Sequence, residues 1–484
     1  INHEIINCKT ITTYRIKKST QESRTGIPRL HPLKVFRIWD QPMLLRAILC
    51  LLAITLCNTL SAAENSNIPA TLKTAKNIPD AFRNYINREE PEYKWQLHES
   101  FSHEGVTVYP VELTSQTWQG ITWKHWLYLF EPDEVRINSK VLLFVTGGSD
   151  GSRPNDKRLK PAFLLAKMTG ARVAFLTQVP NQPLFDGKKE DDLITETWLR
   201  YLKTGDDNWP LLFPMAKSAV KAMDAIQEIV REKRNTIVDG FVITGASKRG
   251  WTSWLTPVVD QRIIATAPIV IDTLNFRAQM KHQIATWGKY SEQIIDYTSK
   301  GLIVEGEENA REQNLRLMMD PYTYLGQLKL PKLLINGTND PYWVADAMRF
   351  YWSDLVGPKY ILQVPNAGHD LGKGVEYALQ TLAVFFMQTA NGKTLPAMDW
   401  DNSNDYELKL TCASEPVQVR LWSAHSENKD FRNSKWSSID VNSDKNVYLA
   451  KIEKPEKGHV AYYMEAVYML NQIPFSICTI ITTK

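Results

Sequence analysis

From about residue 105 to 390 the chain alternates two textures. Apolar and β-branched runs at 106–113, 123–130, 141–146, 172–178, 240–244, 265–271, 332–336 and 359–364 predict strands. Several are continuous, as expected when both faces of a parallel sheet are covered. Between them, 161–168, 214–233, 345–355 and 374–389 predict helices. In the second of these, Pro214 suits a first turn, and Ala216, Val220, Met223, Ile226 and Val230 recur at helical spacing. Strands interleaved with helices imply an α/β fold with a mostly parallel eight-stranded sheet.

Two stretches break the alternation. Residues 180–213 carry several prolines, an acidic cluster (Glu190, Asp191, Asp192), Trp198 and Trp209. Residues 273–330 are helical in pattern and rich in Gln, Tyr and Met. Insertions after sheet strands form a lid over a site or stay as plain peripheral helices, and the sequence leaves both open. Beyond about 395, Ser and Asn become frequent and helix patterns stop. Short alternating runs at 406–411, 417–423, 447–452 and 459–468 predict a small antiparallel, sandwich-like β domain over 396–484.

The first 63 residues have neither texture. Residues 1–42 hold eight Lys and Arg and no sustained periodicity. A basic start at Met43-Leu-Leu-Arg46, an apolar run from Ala47 to Leu56, and Ser61-Ala62-Ala63 then occur in the order of a secretory signal peptide. The run is too short for a spanning helix. The expectation is that 1–42 is upstream extension, that 43–63 is a leader cleaved after Ala63, and that the protein is periplasmic or secreted with no stable membrane insertion.

This changes the charge picture. The whole chain has 57 Lys+Arg, 53 Asp+Glu and a net charge of +4. Without residues 1–63, 48 basic and 50 acidic residues remain, net −2. No basic stripe is left to suggest a nucleic-acid groove. Hydrophobic content of 43% and charged content of 23% exclude a disordered or polytopic membrane chain. Of five cysteines only Cys412 and Cys478 follow the leader. In an oxidising compartment they read as one disulfide, against two buried thiols. No metal-binding motif occurs, and no cofactor is implied.

Candidate chemistry sits at strand ends. Gly240-Phe-Val-Ile-Thr-Gly245-Ala-Ser247-Lys-Arg-Gly250 is a strand running into a Gly-flanked serine and a helix start. A nucleophile elbow needs that arrangement, since the sharp turn exposes the serine Oγ above the sheet. The usual second glycine falls at Arg249, and Gly250 comes one place later. The backbone N–H of Lys248 can serve an oxyanion. So can one from the Gly147-Gly148-Ser149 turn after strand 141–146, where Gly148 or Ser149 is expected. Asp340 follows strand 332–336, either as the acid of a triad or as the cap of helix 345–355. His369 follows strand 359–364 and can act as general base. Seven histidines follow the leader, and His369 is the one placed after a predicted parallel strand. The chain order Ser247, Asp340, His369 is that of an α/β-hydrolase. Asp272, after strand 265–271, is the second choice of acid. Arg249, Trp251 and Trp343 are candidate substrate contacts.

The elements Val145-Thr-Gly-Gly148, Gly245-Ala-Ser-Lys-Arg-Gly-Trp251, Ile335-Asn-Gly-Thr-Asn-Asp340 and Asn366-Ala-Gly-His369 together resemble the PhoPQ-activated pathogenicity-related protein family, over about 70–480. The resemblance implies an exported bacterial α/β-hydrolase-like protein with its core at 64–395. It also implies a C-terminal β domain, Ser247, Asp340 and His369 as a triad, Arg249 as a family feature, and a link to virulence or resistance to host peptides. A weaker similarity is to glucuronoyl esterases, where an Arg after the serine assists the oxyanion and Lys248 stands here. The expected partner is a small-molecule ester or a peptide. An esterase is favoured over a peptidase, with an inactive binding protein on a hydrolase scaffold as the alternative. Sequence does not give the oligomeric state.

Overall fold

All eight predicted strands form and lie in one sheet. The structure is a computed structural model that describes residues 80–149 and 156–484. The upstream extension 1–42 and the leader 43–63 lie outside the described residues. Two short strands, β1 (Lys94–Leu97) and β2 (Phe101–His103), precede the expected set. The set itself is β3 (Val106–Trp118), β4 (Ile121–Pro132), β5 (Ile137–Val145), β6 (Ala171–Leu176), β7 (Gly240–Ala246), β8 (Ile263–Ile269), β9 (Lys332–Gly337) and β10 (Lys359–Val364).

The order is β1-β3-β4-β6-β5-β7-β8-β9-β10, with β2 also on β3. This corrects the expected sheet, which is ten-stranded and mixed. Strands β5 to β10 run parallel, whereas β1, β2, β3 and β4 join through antiparallel pairs. The cause is local. Strands β3 and β4 extend until only Gln119-Gly120 separates them, and both residues have positive φ (51° and 75°). A two-residue turn of that kind joins only antiparallel strands.

Helices α1 (Ala81–Asn87), α2 (Asp156–Thr169), α3 (Glu190–Thr204), α4 (Leu212–Arg234), α5 (Lys248–Val259), α6 (Phe276–Trp287), α7 (Ala310–Met319) and α8 (Val375–Ala390) cover the sheet and fill the insertions. Helices α2 and α8 pack together, and α4 packs on α1 and α5. The insertion 180–213 contains α3, whose first turn is Glu190, Asp191 and Asp192. Three acids there complement the partial positive charge of a helix start. The insertion 273–330 supplies α6, a helical turn at Ile295–Thr298, and α7, which opens on an Asn309/Glu312 capping box. The two insertions meet. Trp198 packs edge-on against Tyr297, and the Asn314 side-chain amide donates to the Tyr201 hydroxyl at 2.8 Å.

The helix expected at 345–355 is a single 3₁₀ turn, Ala347–Phe350. Tertiary partners on different sides override the local pattern. Asp346 accepts hydrogen bonds from Thr483 and His282, whereas the Tyr351 hydroxyl donates to Asp272.

After β10 and α8 the chain builds two antiparallel sheets. One is β11 (Met398–Asp401), β12 (Glu407–Cys412), β16 (Val447–Lys451) and β15 (Ser443–Asp444). The other is β14 (Ser437–Asp440), β13 (Gln418–Ser426), β17 (His459–Leu470) and β18 (Ile473–Cys478), with β19 (Thr482–Thr483) on β17. The described residues fall in one compact unit. Strand β18 packs on α8 and β10. Buried Glu465 ties the layers, accepting from Tyr377 of α8 at 2.6 Å, from Ser476 at 2.7 Å and from the Trp422 indole at 2.7 Å.

The expected disulfide does not form among the described residues. Cys412 on β12 and Cys478 on β18 are free and buried. The Cys478 sulfur accepts from the backbone N–H of Gln363 on β10, at 3.4 Å. Unfolding the leaderless protein in denaturant without reductant is expected to release two thiols per chain to a thiol reagent. A count near zero would restore the bridge.

Candidate functional site

Strand β7 is buried along its length in the middle of the sheet and ends at Ser247. Ser247 has φ 57° and ψ −124°, a conformation L-residues hold only where the surroundings impose it. Its N–H donates to the Ile269 carbonyl at 2.9 Å, and its carbonyl accepts from Trp251 at 2.9 Å as α5 begins. The displaced glycine of the motif now has a reason. A Cβ on Gly250 would lie 2.6 Å from Ile271 Cγ2 and 2.9 Å from the Gly245 carbonyl oxygen. A Cβ on Gly245 would meet the Arg249 carbonyl at 2.7 Å. The two glycines let the turn close on itself and on β8, so position 249 is free to carry a long side chain.

His369 Nε2 lies 2.9 Å from Ser247 Oγ, and His369 Nδ1 lies 2.7 Å from Asp340 Oδ2. The other oxygen of Asp340 accepts from the Tyr342 N–H at 2.9 Å. The Tyr342 ring lies 4.2 Å from the imidazole, inclined by 32°. Asp340 is buried and His369 half-buried. Of the two acids the sequence offers, Asp340 is the one in contact with His369. Asp272 is buried behind the site, accepts from Tyr351, and does not touch the imidazole. Burial pushes its carboxyl up to about 7, and the charges of Asp340 and Asp346 add to that.

The acid and base loops are held from two sides. Asn339 N–H donates to the Ala367 carbonyl at 2.9 Å, and Thr338 N–H to the Val364 carbonyl at 3.0 Å. From the C-terminal β region, Trp436 N–H donates to Asn366 Oδ1 at 2.8 Å, and Asn366 Nδ2 donates to the Trp436 carbonyl at 3.0 Å. The Asn339 side-chain amide donates to the Ser434 and Arg432 carbonyls at 2.7 and 3.1 Å. Sequence reasoning missed both asparagines. Their partners lie 70 or more residues away, and nothing local marks them.

Lys248 and Arg249 turn toward α3. Arg249 makes a two-pronged contact with Glu190, 2.8 Å on each side, and donates to the Val179 carbonyl at 2.5 Å. Burial opposes the Glu190 charge, but Arg249, with Gln182 and Lys248, holds its pKa down at about 2. Lys248 Nζ lies 2.7 Å from Asp191, which also accepts from the Tyr297 hydroxyl at 2.9 Å. Both cations are therefore engaged by the first turn of α3. That leaves the Lys248 backbone N–H, at the first position of α5, as a donor toward Ser247. The Gly147–Ser149 turn is braced from behind. Gln182 donates to the Gly148 carbonyl at 3.3 Å and Gln178 to the Ser149 carbonyl at 3.0 Å. Trp251 and Trp343 are both buried, and both line a chamber of about 30 Å³ against Ser247 and His369. Trp251 is fixed by an indole bond to the Met319 carbonyl at 2.7 Å. Asp191, Phe276, Met280, Tyr297 and Tyr342 complete much of the wall. The acidic cluster was visible in the sequence, but its partners were not.

A serine held on a strained elbow, an imidazole between it and a buried carboxylate, and backbone donors nearby can perform nucleophilic acyl transfer. Strand, serine and helix followed by acid and His on later strands is the α/β-hydrolase arrangement.

Residues 82–432 match the model of the family described as PhoPQ-activated pathogenicity-related protein. Autocrine proliferation repressor protein A of Dictyostelium discoideum is 32% identical over 424 residues, spanning 80% of this chain and 85% of that protein. Among solved structures the chain is similar to an acetyl xylan esterase from a Paenibacillus species, at 14% identity and TM-score 0.46 over 63% of this chain and 92% of that one. It is also similar to acetyl xylan esterase 1 from a Thermoanaerobacterium species, at 19% identity and TM-score 0.43 over 64% and 93%. A glucuronoyl esterase from Solibacter usitatus gives 12% identity and TM-score 0.40 over 67% and 94%.

Two outcomes follow from this geometry. Asn366→Ala removes both bonds to Trp436, which should lower stability by about 1–3 kcal/mol. In acyl transfer at Ser247 it should cost about 10- to 100-fold, chiefly in kcat, because small misplacement of reacting groups is costly. Unchanged kcat would show that the β region does not position His369. The second outcome concerns Asp272, whose folded pKa is raised. The stability it gives as a neutral acid is present at low pH and lost as pH rises through about 7. Asp272→Asn should therefore raise Tm relative to the native chain more at pH 8 than at pH 5. An equal Tm difference at both pH values would mean that Asp272 does not titrate in this range.

Proposed function

The chain belongs to the PhoPQ-activated pathogenicity-related protein family, and from that premise we propose that it is a serine hydrolase that cleaves an ester through Ser247, His369 and Asp340. The observation that carries the proposal is His369 standing within hydrogen-bond reach of both Ser247 Oγ and Asp340. In this mechanism Ser247 Oγ attacks the carbonyl carbon as His369 Nε2 takes its proton. Asp340 fixes the imidazole tautomer and stabilises the imidazolium. The developing oxyanion is met by the Lys248 N–H and by one from Gly148 or Ser149. The imidazolium then protonates the leaving alcohol, and water, deprotonated by the same imidazole, releases the acid from the serine.

An ester is favoured over a peptide because the chamber lined by Ser247 and His369 is small, about 30 Å³. Action in the periplasm or outside the cell rests on the leader read at 43–63. A part in virulence rests on the family's description. A second reading, a binding protein on a hydrolase scaffold, is favoured by one observation. The Dictyostelium relative is named for repression of proliferation and not for a reaction.

The readings separate on activity-based labelling. A fluorophosphonate probe should label the native protein, and Ser247→Ala should abolish the label. Asp340→Asn should lower kcat by about 10³- to 10⁴-fold by analogy with other triads, and Asp272→Asn by less than about tenfold, since it lies outside the triad. A native protein that neither labels nor turns over p-nitrophenyl esters would favour the binding protein.

A further inference from the structure

The chamber at Ser247, about 30 Å³, has room for roughly one or two waters. A scissile ester larger than a formate or acetate must extend somewhere else. The wall of the chamber indicates where. Trp251, Phe276 and Met280 line it, and the same three side chains line a second void of about 300 Å³. That void lies between the two insertions, with Trp198 of α3 on one side and Ile303 and Leu315 on the other. It is about twice the 150 Å³ that accepts benzene in an apolar cavity, and it falls at the lower end of small-ligand sites.

Charged side chains also stand around it, and most have partners within the protein. Glu308 is shared by Arg277 at 3.3 Å and Arg316 at 2.8 Å, Glu305 accepts from the Tyr290 hydroxyl at 2.8 Å, Glu312 from the Asn309 N–H at 2.8 Å, and Asp320 from the Phe276 N–H at 2.8 Å. Lys281 is exposed to solvent. The groups matched in this way do not call for a charged ligand. The partition contains Met280, an unbranched side chain that changes rotamer readily.

We propose that this void binds the apolar part of the ester that Ser247 attacks. The substrate is then a neutral ester carrying an apolar group of about eight to ten carbons, the size that fills such a cavity, and not an acetate or a sugar acid. The assignment rests on the serine-hydrolase reading, and the test keeps the two apart.

Purified protein is assayed with p-nitrophenyl octanoate and acetate, labelled with fluorophosphonate, and titrated with 1-naphthol by calorimetry. The native protein should favour octanoate in kcat/KM by about tenfold or more, the expected direction for added buried methylenes. It should bind one naphthol. Ile303 lines the void but not the chamber, and it is half-buried. Ile303→Trp should cut the octanoate preference and the naphthol affinity each by about tenfold through steric filling, with acetate turnover and labelling unchanged. Ile303→Val should retain both. Normal labelling without an octanoate advantage overturns the assignment. So does an Ile303→Trp protein of native preference and naphthol affinity. Failure of labelling with normal naphthol binding overturns the hydrolase reading and the substrate assignment with it, and leaves a binding site for neutral apolar molecules.

Discussion

His369 leaves the sheet from β10, three strands away from the serine on β7, and the crossing of two loops brings it back. The Asp340 loop after β9 and the His369 loop after β10 pass in contact at Gly337. A Cβ there would lie 2.4 Å from the Ala367 carbonyl oxygen and 2.5 Å from that of Gly368. Nothing larger than glycine lets the two backbones approach this closely. Once they do, the Asn339 and Thr338 amides lace the loops together, and the spacing of acid and base is set by backbone. The loop around residues 431–436 then takes hold of Asn339 and Asn366 from outside. The C-terminal sheets thereby act on the site without contributing a side chain to the triad.

The opposite flank is set by charge. Each acid in the first turn of α3 has its own partner: Glu190 with Arg249, Asp191 with Lys248 and Tyr297, Asp192 with Lys300. Two of these cations directly follow Ser247. The Glu190 and Asp192 side chains remain 40% and 37% exposed, so their pairs contribute about 1 kcal/mol or less, and only Asp191 with Lys248 joins two largely buried groups. Their effect is positional. They fix one placement of α3 over the elbow.

The parts that were legible in the sequence are those set by local pattern. Continuous apolar runs marked the strands, and a serine between a strand and a helix marked the elbow. A histidine after the last parallel strand marked the residue that contacts both Ser247 and Asp340. The parts that were not legible depend on distant partners. Asn366 and Trp436 are 70 residues apart, and neither flanking sequence is distinctive. The 345–355 pattern is helical, yet Asp346 and Tyr351 are drawn to different sides. Helix α3 was obscured by nearby prolines, although Leu193, Trp198 and Tyr201 are buried on one face of it. The Gln119-Gly120 turn was readable in principle. The strand ends on either side hid it, and with it the antiparallel half of the sheet.

These two flanks also bear on how the chamber beside Ser247 can be enlarged. Lifting α3 would break the two-pronged Glu190–Arg249 contact and the largely buried Asp191–Lys248 pair together. Shifting the His369 loop would break the clamp to 434–436 and the contact at Gly337. Displacing Met280 moves a flexible side chain that makes no hydrogen bond, at a cost of about 1 kcal/mol for an unfavourable rotamer. The cheapest opening is therefore the apolar partition between the chamber and the void beside it. Movement there leaves the Ser247–His369–Asp340 contacts and both sets of polar ties intact.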